Sequence, residues 1–271
     1  MILDPLQVLH ALRECEIVSN ALTIDIFEGI SGNVQDIRDG RELPPLVPPT
    51  DLEDYVYALQ AAIEAQKGIF GRDLTEFVEV PEVVVKSIGF LDRHGLYITG
   101  LFRVPGNEDH VNELKRAFNE GAEVKFEDSE FFEISSVYDV ASLLKSFFRE
   151  LPQPLIPRVF FRQFVSLYSV DDEEFIRTMK SFVEDPQFYI VNSDCLRFLL
   201  GYLVRVVRCS TYNKMTADNL AIVFAPTLLK PPDEEDISLL DLQPCIACVK
   251  RMIDHAEAIW DNIWDGYPSG A

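Results

Sequence analysis

The chain has 271 residues, 48% of them hydrophobic, and a formal net charge of −21. That length suits one sizeable core with an appendage, or two small domains. No apolar run approaches the roughly 20 residues a bilayer crossing needs, and the acidity argues against nucleic-acid binding, which needs a basic footprint.

The charge is uneven. Residues 1–66 hold 12 acids and 3 bases, residues 231–271 hold 9 and 2, and residues 67–230 hold 24 and 19. The flanks carry most of the acidity, which serves solubility and disfavours an anionic membrane surface. Met1 to Leu12 has no basic n-region and does not read as a signal peptide. The five cysteines, Cys15, Cys195, Cys209, Cys245 and Cys248, are odd in number and scattered. A reducing compartment is the simpler expectation than a disulfide framework, so the chain is expected to be cytoplasmic.

Helical signals dominate from the start. Asp4-Pro5 reads as a cap with proline at the first helical position, followed by Leu6, Leu9 and Leu12. Pro44-Pro45-Leu46-Val47-Pro48-Pro49 is a stiff, extended linker. Its prolines suit an SH3 domain, but Arg41 is not spaced to give the basic residue such a site needs. Thr50 and Glu53 form a capping box that opens a helix with Tyr55, Val56, Leu59 and Ile63 on one side.

Pro81 begins a helix with Val84, Ile88 and Leu91 on one face, ended by Gly95. The loop from Leu96 to Gly106 separates it from a helix that starts near Asn107 and ends at Gly121. An acidic, irregular stretch covers Glu123 to Ile134. Ser136 and Asp139 then cap a helix carrying Val140, Leu143, Leu144, Phe147 and Phe148, and Pro152 and Pro154 stop it. Further helices are predicted at about 157–169, 172–184, 193–210, 216–225 and 242–263. Two-residue alternation is scarce, so the fold class is all-α, a bundle of about eight to nine helices with a mainly helical N-terminal extension.

Four polar residues stand out. Arg103 lies in Gly100-Leu101-Phe102-Arg103-Val104-Pro105-Gly106. Apolar neighbours would pin that loop to the core and leave the arginine projecting; by spacing alone an ordinary surface arginine fits as well. Lys145 and Arg149 lie four apart on one helix face, a like-charge spacing that costs a few tenths of a kcal/mol. They are either a solvated face or cations awaiting a carboxylate, inside the protein or on another molecule. Asn219 follows the cap Thr216 by three residues, where asparagine is tolerated. Cys245 and Cys248 lie on one helix with no second pair at zinc-ligand spacing, and read as small core residues.

In order and spacing, three segments together resemble the RhoGAP family. Gly95-Leu96 through Gly106, with its Gly-Leu-Phe-Arg-Val-x-Gly core, is similar to that family's arginine-finger loop. Leu143-Leu144-Lys145-x-x-x-Arg149-Glu150-Leu151-Pro152-x-Pro154-Leu155-Ile156 is similar to its second motif. Asn213-Lys214-Met215-Thr216-Ala217-x-Asn219-Leu220-Ala221-x-Val223-Phe224-x-Pro226-Thr227-Leu228-Leu229 is similar to its third. Pro105 stands where serine is common, and Ala225 where glycine is; neither change removes a reacting group.

The resemblance implies a domain over 67–265 that stimulates GTP hydrolysis by Rho, Rac or Cdc42-type small GTPases in their GTP-bound state. By it, Arg103 is the finger supplied in trans, Lys145 and Arg149 support the finger loop and the GTPase contact, and Asn219 touches the GTPase near the nucleotide. The chain would be an enzyme activator without cofactor of its own, since GTP and magnesium belong to the partner. It would reach membranes only through that partner, without inserting. The alternative is a catalytically weak module of the same fold that docks a GTPase or scaffold. Residues 1–66 lie outside the resemblance and are open to a further protein partner; 266–271 form a tail.

Overall fold

The computed structural model describes residues 68–128, 131–231, 239–261 and 263. The helices and proline linker expected within 1–66, Cys15 and the tail 266–271 lie outside the described residues. Among those described there are helices and turns but no strand, as the sequence predicts.

Among the described residues, a 3-10 turn at Leu74–Glu76 is followed by ten α-helical segments. Helix α1 (Glu82–His94) starts after Pro81, and the Gly95 amide closes it by donating to the Leu91 carbonyl. Asn107 caps α2 (Glu108–Asn119) by accepting from the Asp109 amide. The capping box of Ser136 and Asp139 opens α3 (Val137–Glu150), which ends just before Pro152. Helix α4 (Phe161–Ser166) is short, and α5 (Asp172–Glu184) is capped by Asp171. Three acids in the first turn of α5 complement the helix dipole. Helix α6 (Ile190–Arg208) is the longest among the described residues, followed by the single turn α7 (Ser210–Asn213). Thr216 caps α8 (Ala217–Leu228); α9 (Leu239–Asp254) and the single turn α10 (Ala256–Ile259) complete the series.

Helix α6 runs through the middle and touches α1, α7, α8, α9 and α10, while α3 packs on α1, α2 and α8. Leu143, Leu144, Phe147 and Phe148 of α3 are fully buried in the same core as Leu199, Leu200 and Leu203 of α6. Each such side chain contributes about 1.5–3 kcal/mol, against about 0–1 for an exposed ion pair, so apolar packing sets the arrangement.

Three expected helices differ from their predicted course. The segment 157–169 is not one helix: 3-10 turns at Arg158–Phe160 and Leu167–Ser169 bracket α4. Helix α9 reaches into this segment: Cys248 Sγ donates at 3.2 Å to the Phe164 carbonyl, which also accepts from the Leu167 amide, and Arg251 Nη1 donates at 2.6 Å to the Leu167 carbonyl. Helix α8 continues through Pro226 to Leu228. Proline strips the Ile222 carbonyl of its helical donor, and Ile222 is exposed, where water can replace it. The last predicted helix breaks at His255, although Trp260 and Ile263 are still buried. Cys245 and Cys248 are fully buried core residues, and burial pushes the Cys248 thiol up to about 12.

Candidate functional site

The loop from Gly95 to Gly106 joins α1 to α2. Its main chain folds back on itself, because the amides of Arg103 and Val104 both donate to the Gly100 carbonyl at 2.9 Å. That turn needs left-handed backbone at Gly100 (φ 76°) and, unusually, at Phe102 (φ 66°). A side chain there costs roughly 1–2 kcal/mol. Burial of the ring opposes the cost: Phe102 is 1% exposed and packs edge-on against Phe224 at 5.0 Å and Tyr202 at 6.1 Å. With Leu101 and Phe102 buried, Arg103 is turned out to solvent.

Lys145 does not find the carboxylate expected as one of its options. It is half-buried, and its ammonium donates to the Phe102 carbonyl at 2.6 Å. Burial pushes its pKa below the usual lysine value, and the neighbouring charge of Arg149 adds to the fall. Arg149, one turn on, is exposed and donates to Ser146 Oγ at 3.2 Å.

The near end of the loop is tied to the turn between α6 and α8. The Gly100 amide donates to the Asn213 carbonyl at 2.7 Å. Asn213 is fully buried; its Nδ2 donates to Leu96 O and Val206 O, both at 2.8 Å, and its Oδ1 accepts from the Met215 amide. Lys214 follows in left-handed backbone, φ 62°. Asn219, in the first turn of α8, donates its Nδ2 to the Lys214 carbonyl at 3.0 Å. Its amide is also capped by Thr216 Oγ1.

Arg103 and Lys145 are thus joined through Phe102, and Asn219 reaches the loop through Lys214, Asn213 and Gly100. Arg149 stands on the helix beside Lys145 with no bond to the loop among the described residues. In the sequence Asn213 stands out only as the start of the third segment, although a polar residue between the end of α6 and a capping threonine is a signal for a turn-holding amide. Ile222, an apolar residue exposed three positions beyond Asn219, has no mark in the helical pattern. Asn213→Ala would take a partner from three backbone groups, of which the Val206 carbonyl keeps the Cys209 amide, and is expected to lower the unfolding free energy by about 2–3 kcal/mol. Urea denaturation measures this; a midpoint equal to wild type would mean that water replaces the amide.

Arg103 and Arg149 are exposed, and Lys145 and Asn219 are half-buried. Two surface clefts of about 480 and 310 Å³ are lined mainly by residues of α5, with others from α6 and around α10. Among the described residues no cluster of His, Cys, Asp or Glu is arranged to hold a metal ion, and no helix is long and apolar enough to cross a membrane.

This chain belongs to the RhoGAP domain family, whose model matches residues 81–233. It is 32% identical over 233 residues to Rho GTPase-activating protein 24 of Rattus norvegicus, covering 80% of this chain and 30% of that protein. It is 34% identical over 207 residues to Rho GTPase-activating protein gacY of Dictyostelium discoideum, covering 72% of this chain and 26% of that one. The chain therefore spans about a third or less of the length of these relatives. Among solved structures it is similar to human Rho GTPase activating protein 15, with a TM-score of 0.66 and 31% identity over 72% of this chain and 93% of the other.

Proposed function

We propose that this chain accelerates GTP hydrolysis by Rho-family small GTPases, with Arg103 as an arginine finger supplied in trans. The observation that carries the reading is the contrast at positions 102 and 103: a buried, strained phenylalanine beside an exposed arginine. A loop so held presents a cation without needing to be ordered at the encounter.

The GTPase supplies nucleotide, magnesium and attacking water. Its transferring phosphoryl group lacks positive charge as electrons move toward the leaving oxygen. A guanidinium answers that need with two parallel donors for two phosphate oxygens. Lys145 props the loop from below, Arg149 offers a second exposed cation, and Asn219 meets the GTPase beside the nucleotide.

A single-turnover panel with GTP-loaded Rho, Rac and Cdc42, and Ras as control, tests the reading. Acceleration of a Rho-family member but not Ras supports it. Tight binding without acceleration would favour a docking module; neither binding nor acceleration would remove both. Asn219→Ala and Arg149→Ala are expected to weaken affinity about tenfold, roughly one lost polar contact each. Isothermal titration against GTPase carrying a nonhydrolysable analogue checks this, and unchanged affinity in both would leave them as a capping residue and a solvated arginine.

A further inference from the structure

The loop bearing Arg103 is held at its far end as well as its middle. The Gly106 amide donates to Ser142 Oγ at 2.9 Å, and the next amide, that of Asn107, donates to Asp139 Oδ1 at 2.6 Å. Backbones nearly touch there: a Cβ on Gly106 would stand 2.6 Å from Asp139 Cα and 2.7 Å from the Tyr138 carbonyl. Only glycine lets the two chains approach so closely.

Asp139, Ser142 and Lys145 are spaced three apart, on one side of α3 over successive turns. Each takes one point of the loop, at Asn107, Gly106 and Phe102. Asp139 is 2% exposed. Its second oxygen accepts from the Ser136 amide at 3.1 Å and lies 3.2 Å from His110 Nδ1. One buried carboxylate therefore joins the start of α3, the end of the loop and the first turn of α2.

We infer that Asp139 and Ser142 are positioning residues for Arg103. They act through the loop: they fix Gly106 and Asn107, which only Val104 and Pro105 separate from Arg103. Lys145 and the Phe102 ring fix the other side of the arginine, so its main chain is clamped from both directions. This rests on Arg103 being the finger. Fixing the loop sets where the guanidinium stands in the complex, and a misplacement of about 1 Å can cost roughly 100-fold in rate.

Asp139→Asn keeps the shape of the side chain. Its amide NH2, however, must face a backbone donor that a carboxylate oxygen now accepts, and the charge-assisted strength of the remaining bond is lost. Ser142→Ala removes the acceptor of the Gly106 amide alone and leaves the cap of α3 intact.

The test combines three measurements on the full chain. They are the single-turnover rate at saturating chain, the affinity for GTPase carrying a nonhydrolysable analogue, and amide exchange at Gly106 and Asn107. The expected result is a saturating rate lowered roughly 10- to 100-fold, affinity within about threefold of wild type, and faster exchange at those two amides. A merely structural role would lower melting temperature without this split between rate and affinity. Folded variants that match the wild-type saturating rate, or lose affinity in step with rate, overturn the inference. If Asp139→Asn does not fold, Ser142→Ala decides alone. A wild-type chain that fails to accelerate hydrolysis overturns the functional reading itself, an outcome distinct from a wild-type chain that accelerates and variants that equal it.

Discussion

Arg103→Ala is expected to lower stimulated GTP hydrolysis by roughly 10³–10⁵-fold, the range attributed to a trans arginine in Ras-type systems. That corresponds to about 4–7 kcal/mol of barrier. Affinity for the GTP-loaded partner should change little, because the guanidinium makes its strongest contacts only as charge redistributes on the phosphoryl group. The fold should not notice, since the side chain is exposed and the loop is held by its neighbours: Phe102 in the core, Gly100 on Asn213, Gly106 on Ser142. Arg103→Lys should recover little of the rate, because an ammonium lacks the planar fork. Single-turnover hydrolysis across a titration of the chain separates the two parameters. Substantial stimulation by Arg103→Ala would remove the finger from this residue.

Phe102→Ala carries the second large effect, this one on stability. Truncating a buried phenylalanine costs about 3–5 kcal/mol, here by opening a cavity between Phe224 and Tyr202. The left-handed backbone remains unfavourable for alanine, so no strain is relieved. Phe102→Gly would relieve it, by roughly 1–2 kcal/mol, yet loses the same ring. Both variants should unfold at lower urea than wild type, with glycine the less affected relative to its missing side chain. A loss under about 1 kcal/mol for Phe102→Ala would mean that the ring does not anchor the loop.

Some of this arrangement was legible in the chain and some was not. Helix α5 matches its predicted limits, Asp172 to Glu184, because cap, first-turn acids and apolar spacing all lie within the segment. The break after Ser166 could not be read there, because the side chains that bond its carbonyls from outside, Cys248 and Arg251, lie more than 80 residues along the chain. The site divides the same way. The glycine-bracketed loop announced a projecting Arg103, and the structure turns that residue to solvent. The partner of Lys145 is a backbone carbonyl 43 residues away, and every residue has a carbonyl, so no letter marks the one that is used. Asn213 holds Leu96 across 117 residues, which a local pattern does not contain. Asp139 read only as a helix cap; its second task depends on how closely Gly106 approaches.

The ring of Phe102 sits in the common core, and that has a thermal consequence. The segment bearing Arg103 has no hinge of its own to melt before the rest, since its anchors are residues of α3, α6 and α8. Local opening is cheapest where contacts with the interior are few, and here they are many. Warming should therefore cost no stimulation ahead of global unfolding, and the loss of activity should coincide with the melting of the bundle itself.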